Sequence, residues 1–242
     1  MYEGTVMTKK LTLKNKESPK HKETANETII IDESTKKLMA VIGRKRFIIT
    51  GKNKILKTHK KRAELFEWAV SNGFSAVILP PDCPAGIAEE AHSKGLIPET
   101  GGRIMSLLVP RRHFIFHSDY FRMEGGRRRK KTHFCPTNPD TIAALRNEVK
   151  KKFSAAGSVT VFHIWPDTGG EKTWCSCPAC RAFTHAEQYR MAVNAAADAL
   201  AEIIPASYIS CHETHDEEPD ISLRSNIFRI NPDEVTTPAI SM

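Results

Sequence analysis

One segment, Val159-Thr-Val-Phe-His-Ile-Trp-Pro-Asp167, has the composition of a buried β-strand followed by a loop. Its β-branched and aromatic residues form a short apolar run that stops at Pro166, which has no N–H to continue a sheet. Asp167 therefore lies just after the strand ends. In α/β proteins this end of a strand is where ligands bind and chemistry takes place. Asp167 is thus the first candidate for an active-site residue.

On both sides of this strand, extended and helical patterns alternate along the chain. The predicted strands are 38–42, 47–50, 74–79, 96–99, 159–165 and 206–211. The predicted helices are 60–71, 84–93, 140–153 and 184–204. The last of these helices opens with Thr184 and Glu187, which form a capping-box pattern. Repeated alternation of this kind predicts an α/β fold with a mainly parallel sheet.

The length of the chain limits how much of a barrel it can form. A complete (β/α)8 barrel needs about 250 residues without tails, and the 31 residues after Cys211 are too few for three further units. We therefore predict a TIM-barrel-like domain at residues 37–216 that is incomplete, with about five βα units, or an open sheet. Residues 1–36 are predicted to be a flexible or irregular basic tail, and 217–242 a C-terminal tail. A partner chain or an oligomer would complete such a barrel.

The composition, 40% hydrophobic and 26% charged residues, is typical of a globular protein. No apolar run is long enough to cross a bilayer, and the first twenty residues lack the apolar core of a signal peptide. The six cysteines do not resemble a disulfide framework in a chain of this length. These features predict reduced thiols, a cytoplasmic location and no membrane partner.

The net charge of +8 is unevenly distributed. Residues 36–62 contain eleven Lys or Arg and no acid, and residues 103–131 contain nine, against only Asp119 and Glu124. Basic blocks such as 127–131 can bind nucleic acid. Aromatic residues that would stack on bases are not interleaved with these charges, so solvated loops are favoured and nucleic acid is disfavoured as a partner.

Three closely spaced cysteines follow Trp174. They are Cys175, Cys177 and Cys180. Thiolates at this spacing can bind zinc, which prefers four ligands, so a fourth ligand would come from elsewhere in the chain. The candidates for it are Cys211, His185 and Cys135. The alternative is a compact loop whose thiols pack as small apolar groups and which requires no cofactor.

Seven separated segments between residues 60 and 212 carry a resemblance to a known family. They are Phe66-Glu-Trp-Ala-Val-Ser-Asn-Gly-Phe74, Gly95-Leu-Ile-Pro-Glu-Thr-Gly-Gly102, Leu107-Leu-Val-Pro-Arg111, His117-Ser-Asp-Tyr-Phe121, His133-Phe-Cys-Pro-Thr-Asn138, His163-Ile-Trp-Pro-Asp167 and Trp174-Cys-Ser-Cys-Pro-Ala-Cys180. Together they resemble an uncharacterised bacterial barrel family, a domain of unknown function that is related to α-glucuronidase-type and hexosaminidase-type glycoside hydrolases. The resemblance implies a barrel fold and a carbohydrate substrate. The chain departs from the pattern at Arg103, where a His is expected, and at Thr168, where related hydrolases carry a second acid.

Glycoside hydrolysis normally uses two carboxyl groups. Asp167 is our candidate for the general acid or base, because partial desolvation beside Trp165 would raise the pKa of its carboxyl group. Glu213 is the candidate for the second carboxyl group, because it follows the next strand and would reach the same edge of the sheet. Asp216 is the second choice for this role. The alternative places Asp167 in a turn and Glu213 in a solvated acidic loop.

Five further residues are candidates for substrate binding. His163 could donate a hydrogen bond to a sugar hydroxyl, although a satisfied core histidine is an equal alternative. Trp165 and Trp174 could stack on the apolar face of a sugar. A core position is favoured for Trp165, whereas Trp174 lies on a loop and is the better platform. His133 and Arg103 are expected in the same cleft, where Arg103 would favour an acidic sugar such as a uronate.

These patterns favour a glycoside-hydrolase-like protein that acts on or binds carbohydrate, with a carboxylate at a strand end as acid or base. Two alternatives remain at this point. One is a non-catalytic carbohydrate-binding or degenerate barrel domain. The other is a basic nucleic-acid-binding protein that contains zinc.

Overall fold

The computed structural model of the chain describes residues 33–49, 54–167, 174–212, 219–230 and 235–237. The α-helices in these ranges are α1 (Glu33–Ile42), α2 (His59–Ser71), α3 (Ala85–Ser93), α4 (Pro139–Phe153) and α5 (His185–Ile203). The strands are β1 (Arg46–Ile48), β2 (Ala76–Leu79), β3 (Ile97–Gly102), β4 (Met123–Glu124), β5 (Arg127–Arg128), β6 (Val161–Ile164), β7 (Tyr208–Cys211), β8 (Ile227–Arg229) and β9 (Val235–Thr236). Short 3-10 helices lie at Lys54–Lys57, Met105–Leu108, Arg111–Ile115, Ser118–Tyr120 and Cys180–Ala182.

Seven of the described strands form one sheet in the order β8-β7-β6-β3-β2-β1-β9. Every neighbouring pair in this sheet is parallel. The strand β6 lies inside the sheet, with His163 opposite Gly101 of β3 on one side and opposite Ser210 of β7 on the other. The prediction of an incomplete, TIM-barrel-like α/β fold is confirmed.

The sheet is curled into a half-barrel. Four strands separate β1 from β8 in the sheet, and at about 4.8 Å per strand a flat sheet would place them roughly 24 Å apart. Instead the guanidinium of Arg46 on β1 lies 5.6 Å from the ring centre of Phe228 on β8. The inward side chains Ile78, Val161 and Phe228 pack together as the interior of this half-barrel.

The strand β6 shows how the sheet separates two layers of core. Side chains alternate between the two faces of a strand. Phe162 and Ile164 face outward and pack against α4 and α5, whereas Val161 and Trp165 belong to the interior cluster. On the other half of the sheet, α2 and α3 cover β1 and β2. The outer layer of helices leaves the carboxyl ends of the strands uncovered for a site.

Two predictions on secondary structure are corrected. The segment 38–42, predicted as a strand, is the end of α1, because Leu38 and Val41 are three residues apart and pack together onto the interior cluster. The side chain of Arg46 donates hydrogen bonds to the carbonyl oxygens of Val41 and Ile42 and so caps this helix. The helix therefore covers the amino-terminal end of the interior.

The sheet also extends beyond residue 216, into the segment predicted as a C-terminal tail. There β8 pairs with β7, and β9 pairs with the opposite edge at β1. Strands of two or three residues are too short to show periodicity in a sequence. In the part of the chain that the structure describes, no helix has the length and apolar character that a membrane span requires.

Candidate active site

A cavity of about 590 Å³ lies at the carboxyl ends of the parallel strands. Residues that directly follow these strands contribute to its wall, namely Ile49, Pro80, Pro81, Asp82, Arg103, Trp165, His212 and Ile230. Ligand cavities in proteins typically have volumes of about 300–1,000 Å³. The carboxyl edge of the strands is also the position of the active site in barrel enzymes. Both the size and the place of the cavity therefore suit a small-molecule substrate.

Trp165 and His212 form a fixed aromatic corner of this cavity. The indole N–H of Trp165 donates to Ser210 Oγ at 2.9 Å, and the ring centres of Trp165 and His212 lie 5.8 Å apart. Tyr189 on α5 fixes the two strand ends, because its hydroxyl donates to the carbonyl of Ile164 at 2.9 Å and accepts the N–H of His212 at 3.0 Å. The predicted residue Trp165 thus does reach the cavity, in a single supported orientation.

The charged part of the wall comes from Arg103 and Asp82. Arg103 is exposed, and its Nη1 donates to the carbonyl oxygen of Pro166 at 3.2 Å. This contact joins the loop after β3 to the loop after β6. Asp82 follows β2 and is also exposed. The cavity therefore presents a cation and a carboxylate beside its aromatic corner.

Asp167 lies three residues beyond the end of β6, is half-buried, and is not among the residues that line the cavity. Its buried Oδ2 receives no hydrogen bond from any described residue. Glu213 and Asp216 lie outside the described residues. The strand β7, which Glu213 follows, pairs directly with β6. The carboxyl group of Asp167 therefore keeps an acceptor oxygen that the described protein does not use.

A buried charge network lies inside the barrel. Glu99 is fully buried, and its carboxylate accepts hydrogen bonds from Arg46 Nε at 2.7 Å, Arg44 Nη1 at 2.8 Å and His163 Nε2 at 2.8 Å. Burial raises the pKa of Glu99, but the hydrogen bonds and charges of His163 and Arg46 outweigh it and lower the pKa to about 2. Glu99 is therefore an anion at neutral pH.

His163 belongs to this network and is fully buried. Burial lowers the pKa of His163, and the hydrogen bond to Glu99 opposes the change only in part. In the neutral ring Nε2–H donates to Glu99, and Nδ1 accepts the hydroxyl of Ser210 at 2.5 Å. Both ring nitrogens are thus engaged within the interior, and His163 is not part of the cavity wall.

Trp174 and His133 also lie away from the cavity. Their rings stack on each other, with centres 4.4 Å apart and an angle of 6° between the planes. Both side chains are buried, and Phe134 packs edge-on against Trp174 at 5.9 Å. Trp174 is therefore a buried residue that packs against the segment containing His133 and Phe134, and it does not form an exposed platform.

The cysteines that follow Trp174 meet a fourth thiol. The Sγ atoms of Cys135, Cys175, Cys177 and Cys180 all lie within 4.8 Å of one another, and all four side chains are buried. Cys211 instead lies in β7, packed in the main core. All six cysteines of the chain are free thiols. Of the three candidates for a fourth ligand, only Cys135 joins the cluster.

The basic block at 127–131 contributes to the same region. Its residues Arg127 and Arg128 form β5, which pairs antiparallel with β4. Arg128 Nη1 donates to the carbonyl of Phe121 at 2.7 Å, and Arg129 lies 3.2 Å from Glu124. Part of this charge is therefore used to hold the hairpin in place beside the cysteines.

Residues 90–226 match the model of a protein family described as a domain of unknown function (DUF4838). This match spans more than half of the chain. The chain belongs to this family. A search of curated proteins found no match.

Among solved structures, the chain is similar to a tandem GH20 catalytic module of the pneumococcal exo-β-D-N-acetylglucosaminidase StrH, with a TM-score of 0.53 and 12% identity over 80% of this chain and 60% of that one. It is also similar to the GH36 α-galactosidase AgaB of Geobacillus stearothermophilus, with a TM-score of 0.45 and 10% identity over 71% of this chain and 28% of that one. An O-GlcNAc hydrolase of Thermobaculum terrenum gives a TM-score of 0.46 and 14% identity over 76% of this chain and 39% of that one. The chain spans less than two thirds of each of these proteins. The likeness to StrH, together with the sheet topology, shows an incomplete TIM-barrel-like α/β fold.

Asp82 and His212 were not among the residues predicted from the sequence. Each follows a predicted strand, as Asp167 does, so the strand-end rule that selected Asp167 also identifies them. Glu99 lies within a strand that reads as Ile-Pro-Glu-Thr, and the pattern gives no sign that its carboxylate meets two arginines. The curled sheet brings the side chains of Arg46 on β1 and His163 on β6 into contact with Glu99 on β3.

Proposed function

We propose that this protein acts on carbohydrate, as a glycoside hydrolase, in the cavity at the carboxyl edge of its sheet. The observation that carries the proposal is the composition of this cavity, where Trp165 and His212 lie beside Arg103 and Asp82. A sugar ring presents an apolar C–H face that suits an aromatic side chain. Its hydroxyl groups suit charged hydrogen-bonding partners.

The fold supports the same proposal by analogy. The similar module of StrH comes from an exo-β-D-N-acetylglucosaminidase. Barrel folds serve many chemistries, so fold alone does not fix a reaction. The reaction is argued from the residues at the strand ends.

In this proposal Asp167, which directly follows the Pro166 carbonyl that binds Arg103 of the cavity wall, is the general acid or base, and Glu213 is the second carboxyl group. Neighbouring parallel strands lie about 4.8 Å apart, so residues after β6 and β7 suit the separation of about 5–5.5 Å that retaining glycosidases use. Asp82 follows β2, and β3 lies between it and β6. If Asp82 took the place of Glu213, two strand spacings would give about 9.6 Å, which is close to the upper end of the roughly 6.5–9.5 Å that inverting enzymes use.

Arg103 gives the proposal its substrate preference. Its exposed guanidinium lines the cavity and carries two parallel N–H groups that match a carboxylate. We therefore expect an acidic sugar such as a uronate to bind better than its neutral counterpart. Arg103→Lys keeps the charge but loses the paired donors, so it should reduce this preference.

The test measures hydrolysis of a panel of aryl glycosides and aryl uronides by the wild type and by Asp167→Asn. Removal of a general acid or base should lower the rate by about 10²- to 10⁴-fold. Asp220→Asn is a matched control, because Asp220 is exposed outside the cavity and should leave the rate unchanged. The anomer first released, followed by NMR, distinguishes the two carboxyl pairings.

Three results would oppose the proposal. A folded wild type that hydrolyses nothing in the panel but binds sugars would favour a non-catalytic binding domain. Hydrolysis that survives Asp167→Asn unchanged would remove Asp167 from the reaction. Polynucleotide binding with a steep dependence on salt, in place of sugar binding, would favour a nucleic-acid partner.

A further inference from the structure

We propose that Cys135, Cys175, Cys177 and Cys180 bind one zinc ion in a structural site. In a tetrahedral tetrathiolate site the Zn–S bonds are about 2.3 Å long, which places the sulfur atoms about 3.8 Å from one another. Cys135 Sγ lies 3.7 Å from Cys177 Sγ and 3.6 Å from Cys180 Sγ. All four sulfur atoms lie within 4.8 Å of one another. The thiols therefore surround a space of the size that zinc requires.

Neither a disulfide bond nor the packing of thiols as small apolar groups explains this arrangement. The sulfur atoms of a disulfide are about 2.05 Å apart, and the separations of 3.6 and 3.7 Å exclude such a bond here. Thiols that pack as small apolar groups have no reason to converge on one point from two distant segments. These four do converge, and among the described residues Met123 is the one partly buried apolar side chain that packs against them.

Polar groups around the cluster suit the charge of a zinc tetrathiolate. Four thiolates and one zinc ion carry a net charge of about −2, which hydrogen-bond donors must balance in a buried place. The backbone N–H of Met123 donates to Cys175 Sγ at 3.2 Å, and Arg128 Nη1 lies 3.9 Å from the same atom. The hydroxyl of Thr137 lies 3.1 Å from Cys180 Sγ and 3.5 Å from Cys135 Sγ.

The cysteine loop is held in shape by Gln188 of α5, which is almost fully buried. Its Oε1 accepts the N–H of Cys175 at 3.0 Å, and its Nε2 donates to the carbonyl oxygens of Cys175 at 3.1 Å and Cys180 at 3.3 Å. The N–H of Ser176 donates to the carbonyl of Met123 at 2.9 Å. Protein contacts thus preorganise the ligands, as a structural metal site requires.

The proposed ion joins two segments that leave the same edge of the sheet. Cys135 belongs to the long connection between β3 and α4, and the other three ligands lie between β6 and α5. Four protein ligands fill a tetrahedral zinc site and leave no position for a substrate or water. The ion would therefore fasten residues 174–180 to the connection between β3 and α4 and would not take part in a reaction.

The first experiment measures the metal content of the full chain, purified under reducing conditions, by inductively coupled plasma mass spectrometry. We expect one zinc per chain in the wild type and in Cys83→Ser, because Cys83 lies outside the cluster. Cys135→Ser and Cys177→Ser should each lose most of the zinc. Iron in place of zinc, or a folded wild type with no bound metal after incubation with zinc, would overturn the proposal.

A second experiment does not depend on the folding of the variants. Wild-type protein in which cobalt(II) replaces the metal should show the intense visible d–d bands and thiolate-to-cobalt charge-transfer bands of a tetrahedral tetrathiolate site. The spectrum of six-coordinate cobalt with oxygen ligands would contradict the site. Both measurements report metal binding directly, so a negative result would not affect the proposed carbohydrate chemistry. In the same way, an absence of sugar hydrolysis would not affect the proposed zinc site.

Discussion

Replacing Glu99 by Gln should destabilise the fold far more than the same change on the surface. Glu99 is fully buried and accepts hydrogen bonds from Arg46, Arg44 and His163. The amide keeps the shape of the side chain but removes the negative charge. Arg46, which is 3% exposed, then lies in the interior without its anion.

Two independent arguments give the size of this effect. The pKa of Glu99 falls from its ordinary value of 4.5 to about 2 in the folded protein. At about 1.4 kcal/mol for each tenfold change in acidity, the ionised carboxylate contributes about 3 kcal/mol of stability at neutral pH. Removal of one partner from a buried ion pair costs about 3–5 kcal/mol in measured cases. The two values agree.

The sign of the pH dependence follows from the lowered pKa. Because the folded-state pKa lies below that of the unfolded chain, the stabilisation is complete above pH 4.5 and is lost as the pH falls toward 2. The difference in the free energy of unfolding between wild type and Glu99→Gln should therefore be about 3 kcal/mol at pH 7 and less than half of that at pH 3.

The assay is urea unfolding followed by tryptophan fluorescence and circular dichroism at both pH values. Glu67→Gln is the matched control, since Glu67 is 60% exposed and pairs with Lys94 on the surface. It should change the free energy of unfolding by less than about 1 kcal/mol. If the two variants lose similar stability at pH 7, or if the loss in Glu99→Gln does not shrink at pH 3, the reasoning is refuted.

Two further predictions concern the backbone. Gly101→Ala should destabilise the protein by at least about 2 kcal/mol in urea unfolding, because Gly101 has a φ of +124° and a Cβ there would lie 2.0 Å from the carbonyl oxygen of His163. Gly86→Ala, on the open surface of α3, should be neutral or stabilise by up to about 1 kcal/mol, and equal effects of the two changes would contradict this account. Asn138→Ala should cost about 1 kcal/mol, because Asn138 Oδ1 accepts the N–H groups of Asp140 and Thr141 at the start of α4. Asn138→Ser should recover most of that loss, and a full loss in the Ser variant would show that capping is not the cause.

Much of the fold could be predicted from the sequence because its signals are local. The run 159–165 reads as a buried strand and contains β6, which lies inside the sheet. Thr184 and Glu187 form the predicted capping box at the start of α5. Both patterns depend on neighbours in the chain, so spacing alone is sufficient to identify them.

The site could be predicted only in part, because its contacts are distant in the sequence. Trp165 and Arg103, both predicted to bind substrate, lie in the cavity wall at the ends of their strands. The strand-end rule cannot show that Trp174 turns inward to stack on His133, or that Cys135 joins three thiols some forty residues further along the chain. These pairings depend on how two long loops fold against each other, and a single sequence holds no local signal for that.

The position of Arg46 has a consequence for the order in which its contacts can form during synthesis. Its guanidinium meets the carbonyl of Val41, the carboxylate of Glu99 and the ring of Phe228. At about 5–20 residues per second, the ribosome delivers Phe228 on the order of ten seconds after Arg46. Glu99 arrives much earlier, so the nascent chain can neutralise this cation long before its aromatic neighbour exists. The ion pair can therefore form before β8 has been made, and the surroundings of Arg46 are complete only when Phe228 is added.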